Sequence, residues 1–328
     1  MSTEKLIFCT LFDSKYLDKG LTMANSLLST DNNIFLYIFA FDNICSEILK
    51  RMKLDRVMVV DVEDFEDENL LAVKSSRTST EYCWTCTPTI IEYCINKFKI
   101  DNCTYIDADL YFYDTPRILI EEMKNNSVLI TEHRYTREYD QSEASGLYCV
   151  QFVTFKADKP GLKVLSWWKN ACLEWCYNRV EDGKFGDQKY LDNWTESFKG
   201  VHVLIHEGGG VAPWNIQQYE IQPKDKKIYI FKEGKTVPLI FYHFHGVRSL
   251  RSGFFHFGPY KLSEGHKSIL YERYITKLIS CRNNISFPNF DKGNWFEIDD
   301  NFLNKFFNKR IRKRIKPIEN KSLAKTNF

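Results

Sequence analysis

Residues 103–116, CTYIDADLYFYDTP, constrain the fold more than any other stretch of this chain. The apolar run through Cys103, Tyr105 and Ile106 ends at two carboxylates, Asp107 and Asp109, with only Ala108 between them. That pattern describes a strand running into a site. Successive side chains of a strand point to opposite faces, so on an ideal extended backbone Asp107 and Asp109 lie on the same side and can share a hard cation. A divalent metal held there could also grip a diphosphate. Asp-x-Asp arises by chance in surface loops as well, but here Leu110, Tyr111, Phe112 and Tyr113 follow it. Charges that enter an apolar neighbourhood need something to bind.

Ahead of this stretch, strands alternate with helices. KLIFCTLF (5–12) reads as a buried strand, and Asp13-Ser14 offers an N-cap for a helix carrying Leu17, Leu21, Ala24, Leu27 and Leu28 on one face. IFLYIFAF (34–41) and RVMVVDV (56–62) read as two more strands around a short helical stretch (46–53). This is the pattern of a parallel sheet with crossovers, whose ligands sit at the C-terminal ends of the strands. Thr10, Phe12, Asp13 and Tyr16 lie at the first such end, and Asp13 can serve as an N-cap and as a base or ribose contact together. In SSRTSTEYCWTCT (75–87) the one unambiguous cation is Arg77, which can reach a phosphate or stand as a surface arginine. A helix is expected after it, with Thr87 as N-cap and Pro88 as first residue.

Beyond the Asp-x-Asp, SVLITEH (127–133) and LYCVQFVTF (147–155) read as strands and 160–179 as a helix. Asp187-Gln188, after Gly186, reads on its own as an N-cap with an exposed glutamine. VHVLIH (201–206) leads to Gly208-Gly209-Gly210, a mobile turn beside a rigid Pro213-Trp214-Asn215, a pairing that suits a pocket wall. VPLIFYHFHG (237–246) alternates so that His243 and His245 share a face. Two imidazoles there can supply a ligand to a metal already held by carboxylates, or stand as a surface pair.

The 328 residues, 44% of them hydrophobic, suit one large α/β domain with extensions or two closely packed ones. A net charge of +2 gives no global field for nucleic acid, so no nucleic-acid partner is expected. The chain opens MSTEK and passes straight into LIFCTLF, and no apolar stretch reaches membrane-spanning length, so a cytoplasmic location is expected. Ten cysteines, mostly inside apolar segments, read as reduced core thiols. Cys83-Trp-Thr-Cys86 has zinc or redox spacing but lacks a second pair of ligands. Seven basic residues and no acidic one lie between Lys305 and Lys316. Phe302, Leu303, Phe306, Phe307, Ile311 and Ile315 recur there at helical spacing, which predicts an amphipathic basic helix ended by Pro317 and able to rest on an anionic membrane surface.

TLFDSKY, Arg77, YIDADLYFYDTP, GDQKYLD, APWN and HFHG stand in an order that resembles the nucleotide-sugar glycosyltransferases of the GT-A type. The nearest likeness is to retaining glycosyltransferase family 8, which includes bacterial lipopolysaccharide galactosyl- and glucosyltransferases and glycogenin. The resemblance runs from residue 5 to about 250. It implies an α/β, Rossmann-like GT-A fold with a mostly parallel central sheet and helices on both faces, a catalytic domain over 1–260 and a helical, basic C-terminal extension over 261–328. It further implies a hexosyltransferase that moves a sugar from a nucleotide donor, a UDP-sugar, to a saccharide or lipid-linked saccharide acceptor. Thr10, Asp13 and Tyr16 would hold the uridine or ribose, and Arg77 the diphosphate or sugar, with Ala108 on the donor side. Asp107 and Asp109 would bind Mn²⁺ or Mg²⁺ with His243, since His243-x-x-Gly246 matches the family's His-x-x-Gly, and His245 is the rival ligand. Asp187 would bind the donor sugar's hydroxyls, Gln188 would sit beneath the anomeric carbon, and Asn215 would line the acceptor side. A lipid-linked acceptor would suit attachment to the inner face of the cell membrane.

The chain departs from that family twice. Lys-Pro-Trp is missing after His-x-x-Gly, which passes the diphosphate contact to Arg248 or Arg251, and Cys149-Val150-Gln151 stands where relatives show Asn-x-Gly. Alternatives stay open. An inverting enzyme would need a general base, for which Glu132, Asp140 and Glu143 are candidates. A nucleotidyltransferase would need a glycine-rich loop near the N-terminus, which is lacking. A non-catalytic nucleotide-sugar-binding module would have no need of intact Asp107, Asp109 and His243.

Overall fold

The computed structural model describes residues 4–250, 253–288, 290 and 292–298. The first eight strands are β1 (Leu6–Phe12), β2 (Ile34–Ala40), β3 (Val57–Asp61), β4 (Asn102–Ile106), β5 (Leu110–Phe112), β6 (Val128–Glu132), β7 (Tyr148–Lys156) and β8 (Val201–Val203). Seven of them form one sheet in the order β3-β2-β1-β4-β7-β6-β8. The first four are parallel; β7 runs antiparallel to both β4 and β6, and β8 is parallel to β6. All seven residues of β1 are buried, as a central parallel strand covered on both faces requires. The expected α/β architecture with a mostly parallel sheet is the observed one.

Two helical layers cover that sheet. Helix α1 (Leu17–Leu28) packs Leu17, Leu21 and Ala24 against Phe8, Leu36 and Phe152 on one face. Helix α2 (Asn43–Met52) lies on the same side, its N-terminus capped by Asp42. Helices α3 (Ser79–Phe98) and α4 (Lys159–Glu174) cover the other face through Ile90, Ile91, Val164 and Trp168. Helix α3 begins nine residues ahead of Pro88. The signal for its start is Thr78-x-x-Glu81, a capping box in which each side chain bonds the other's backbone, and Pro88 is carried inside the helix. Asp13 does not cap α1 either; its Oδ1 accepts from the backbone of Lys15 and Tyr16 in a turn that precedes the helix.

The remaining strands assemble beside the C-terminal edge of the sheet. Strands β9 (Glu220–Lys224), β10 (Lys227–Lys232) and β11 (Lys235–Pro238) form an antiparallel sheet. The run expected as one strand over 237–246 is divided between β11 and β12 (Phe241–His243), which pairs antiparallel with β5. Strands β13 (Val247–Leu250) and β14 (Phe255–Phe257) then form a hairpin. Helix α5 (Glu272–Asn284) buries Tyr274, Ile275 and Leu278 in a core shared with Tyr111, Tyr242 and Phe244.

Long-range polar contacts tie this C-terminal part to α1 and to the loop before it. Arg282 of α5 donates from Nε to Asp18 Oδ2 at 2.6 Å, and Trp295 donates from Nε1 to the Ser14 carbonyl at 3.0 Å. Among the described residues no helix is long and apolar enough to cross a membrane. The basic helix expected over 302–315 lies outside the described residues, as does Arg251.

Candidate functional site

Pairing of β5 with β12 builds the centre of the site. Its register sets His243 opposite Leu110, and the Phe244 amide donates to the Asp109 carbonyl at 2.9 Å. The two aspartates do not converge through strand alternation, because β4 stops at Ile106 and residues 107–109 form a turn into β5. Within it the Asp107 amide donates to the Gln151 carbonyl at 3.1 Å. Both carboxylates face one imidazole as a result: His243 Nε2 is 2.9 Å from Asp109 Oδ1 and 3.9 Å from Asp107 Oδ2.

His245 joins this group from the rim. Asp109, His243 and His245 present ligand atoms that all lie within 4.8 Å of one another. Gly246 makes this possible, since its φ of +76° turns the chain back into β13 where a side chain would be strained. Two carboxylates and an imidazole form a mixed oxygen and nitrogen donor set that fits a divalent ion of intermediate hardness, and His243 is the imidazole that meets both carboxylates.

The ring of His243 is held from behind. Nδ1 donates to Gln151 Oε1 at 2.9 Å, which fixes the ring and turns Nε2 toward the aspartates. The edges of both histidines pack against Trp214, at centroid distances of 5.3 and 5.6 Å. Trp214 is fixed in turn by donating from Nε1 to the His133 carbonyl at 2.9 Å.

Charges inside the cleft perturb one another. Desolvation pushes Asp107 up to about 6, aided by the charge of Asp109 and opposed by His243. Desolvation acts on Asp109 too, yet the charge and hydrogen bond of His243 outweigh it and hold that carboxyl well below its usual range, with Lys19 contributing. His245 is driven down to about 4 by desolvation and then by the positive charge of His243, with Lys19 and Arg248 acting in the same direction. Asp187, 5% exposed, is raised to about 8 by burial and next by Asp107. The last shift places Asp187 within electrostatic reach of Asp107, 80 residues away along the chain. Gly186 places it there: φ is +52°, and a Cβ would stand 3.2 Å from the Trp84 ring.

The other expected residues are distributed around this centre. Thr10 is wholly buried in β1, its hydroxyl without a partner among the described residues. Asp13 forms the turn after β1, where desolvation and the nearby Asp42 raise it. Tyr16 lies under the ammonium of Lys19, whose Nζ is 3.9 Å from the ring centroid. Ala108 is buried between the aspartates, and Arg248 is exposed on β13. Gln188 donates from Nε2 to the Ser145 carbonyl at 2.8 Å, so it is not the exposed partner of an N-cap. Glu132, Asp140 and Glu143 are all exposed.

Three expectations are corrected. Arg77 is 8% exposed, and its terminal nitrogens donate to the carbonyls of Cys172 and Leu173, each at 2.7 Å, and to Thr85. It closes the last turn of α4, whose carbonyls lack helical partners, instead of offering a free cation to a phosphate. Asn215 is fully buried and its side chain bonds the backbone of Ala212, Gly210 and His133. It braces the turn that carries Trp214 and does not itself line an acceptor surface. The glycine run before it is packed, not loose: a Cβ on Gly208 would stand 2.0 Å from the Pro238 carbonyl oxygen.

Lys19 and Gln151 were not singled out as site residues. Lys19, 6% exposed, sits in the first turn of α1 within electrostatic reach of Asp109 and His245; its sequence signal is only a lysine in an otherwise buried helical turn. Gln151 showed itself only as a departure from Asn-x-Gly, with no indication of its partner.

No family model matches the chain. The uncharacterized protein YfnF of Bacillus subtilis (strain 168) is 34% identical over 249 residues, covering 74% of this chain and 81% of that protein. The uncharacterized protein YfnD of the same strain is 31% identical over 294 residues, covering 87% and 93%. Among solved structures, the galactosyltransferase LgtC in complex with donor and acceptor sugar analogs aligns with a TM-score of 0.56 at 13% identity, covering 88% of this chain and 100% of that one. An active-site mutant of LgtC aligns over the same shares with a TM-score of 0.52 at 11% identity. The likeness to LgtC establishes the GT-A fold.

Proposed function

The chain belongs to the family of the Bacillus subtilis proteins YfnF and YfnD and has the GT-A fold, and from that premise we propose that it is a metal-dependent glycosyltransferase. The donor is a nucleotide sugar, a UDP-hexose, the acceptor a saccharide or lipid-linked saccharide, and transfer proceeds with retention. The observation that carries this reading is the meeting of Asp107, Asp109 and His243, with Asp187 within electrostatic reach of Asp107, where the strands of a GT-A sheet end.

Asp107, Asp109 and His243 would hold Mn²⁺ or Mg²⁺, with His245 beside them. When bound, such an ion stabilises the negative charge that develops on the leaving diphosphate. Lys19 supplies a second positive charge next to Asp109, in a desolvated cleft where it acts more strongly than in water. It is better placed for the diphosphate than Arg77, which is engaged at the end of α4. The turn of Asp13 and the ring of Tyr16 form the nucleoside side.

Breaking the bond to the anomeric carbon leaves an oxocarbenium-like sugar. Asp187 binds its hydroxyls, and Gln188, oriented by Ser145, lies beneath the ring. The acceptor hydroxyl attacks from the leaving-group side and passes its proton to a phosphate oxygen, so no strong base is required on the far face. An inverting reaction would instead need a base such as Glu132, Asp140 or Glu143, all of which are exposed. Attachment of the basic C-terminal segment to an anionic membrane rests on the sequence alone. The deciding experiment screens UDP- and GDP-sugars for Mn²⁺-dependent nucleotide release and determines the product anomer by NMR. No metal-dependent turnover with any donor would sink the reading, and an inverted anomer would sink its stereochemical part.

A further inference from the structure

Three cysteines from distant parts of the chain meet in the core on the α3 side of the sheet. Cys9 lies on β1, Cys103 on β4 and Cys94 on α3; each is wholly buried, and their sulfur atoms all lie within 4.8 Å of one another. Strands β1 and β4 are parallel neighbours with Cys9 opposite Tyr105, so Cys9 and Cys103 sit on the same face two residues apart in register. Helix α3 lays Cys94 over them. A soft trivalent ion bound pyramidally by three thiolates at about 2.3 Å holds the sulfurs roughly 3.5 Å apart, which these three can reach with small movements.

We propose that Cys9, Cys94 and Cys103 form a binding site for a soft, thiol-seeking trivalent ion, of which arsenite is the probe. Three sulfurs with no oxygen or nitrogen ligand among them select for softness. Charge selects for valence. The surroundings are apolar, including Ile90, Ile91, Phe155 and Val153, and a trivalent centre with three thiolates is neutral, whereas a divalent ion would leave one uncompensated charge. Burial raises the thiols of Cys9 and Cys94 well above their usual range, while at Cys103 burial is outweighed by hydrogen bonds from those two, which draw its thiol down, and the trio gives up its protons when a ligand takes the sulfurs. In the binding step three As–S bonds form and three As–O bonds break; each thiol proton leaves with a hydroxide of arsenous acid as water, and no electrons are transferred.

The site is distinct from the aspartate pair. Cys9 and Cys103 each stand four residues before a carboxylate of the cleft, Asp13 and Asp107, which is about 13 Å along an extended strand. Because the sulfurs have no access to solvent, entry follows local opening of α3 from the sheet and is slow.

The test incubates the reduced full-length protein with arsenite and reads the adduct by native mass spectrometry. The expected species carries one arsenic in place of three hydrogens and unfolds at a higher temperature than the free protein. Cys9→Ala, Cys94→Ala and Cys103→Ala each lose it, while Cys83→Ala and Cys149→Ala keep it. Should one core variant fail to fold, the other two decide. The proposal is overturned if the wild type takes up no arsenic, if its adduct retains a hydroxyl and so uses only two sulfurs, or if the adduct survives in the three core variants.

Discussion

Gln151 accepts a hydrogen bond from Nδ1 of His243 at 2.9 Å, although 92 residues separate the two along the chain. The contact fixes the imidazole so that Nε2 faces Asp109 and Asp107. Gln151→Leu removes it and leaves the ring free to turn. Loss of such a supporting contact lowers metal affinity by about 10- to 100-fold. A Mn²⁺ titration followed by calorimetry should show that drop with the fold intact; an unchanged Kd would mean that packing against Trp214 alone orients the ring.

Asp109 contacts His243 at hydrogen-bond distance and forms a group with both histidines, whereas Asp107 stands 3.9 Å away. Asp109→Asn should therefore weaken Mn²⁺-dependent UDP binding more than Asp107→Asn, and both should abolish transfer. His243→Ala should cost more Mn²⁺ affinity than His245→Ala. The reverse order for the histidines would move the ligand to His245.

Lys19 is a cation whose charge is felt by Asp109. A charge-assisted contact to a diphosphate contributes about 1.5–3 kcal/mol, so Lys19→Met should raise the Kd for UDP by roughly 10- to 150-fold and flatten its salt dependence. Binding of uridine should stay unchanged. Equal losses for UDP and uridine would point to damage in α1 instead.

Asp187 is assigned to the sugar and not to the nucleotide. Asp187→Ala should lower kcat far more than it weakens UDP binding. Full kcat in this variant would reduce Asp187 to a structural acid.

The ion pair between Asp18 and Arg282 is buried, with side chains 1% and 11% exposed, and burial raises Asp18 even in the presence of its partner. Arg282→Met strands a carboxylate in the core, at a cost of about 3–5 kcal/mol. Urea unfolding measures it. A change below about 1 kcal/mol would show that α5 is held to α1 by apolar packing alone.

Much of the fold was legible in local sequence. The strands β1, β2, β4 and β7 are apolar runs because central strands of this sheet are covered on both faces, and such runs identify themselves by composition. Asp107 and Asp109 stood out because acids at the end of a strand break that pattern, whereas Asp187 read by itself as an N-cap and was picked out only by the family resemblance. The start of α3 was also local, in the capping box of Thr78 and Glu81, but Pro88 gave a competing signal. What the sequence left open was every choice that depends on a partner far along the chain. Arg77 meets the end of α4 because α3 and α4 pack side by side, Asn215 faces the backbone because its turn folds against His133, and Gln151 holds His243 because β12 pairs with β5. Periodicity and turn chemistry report only which face a residue occupies; the partner on that face is chosen by long-range pairing, which only the tertiary structure decides.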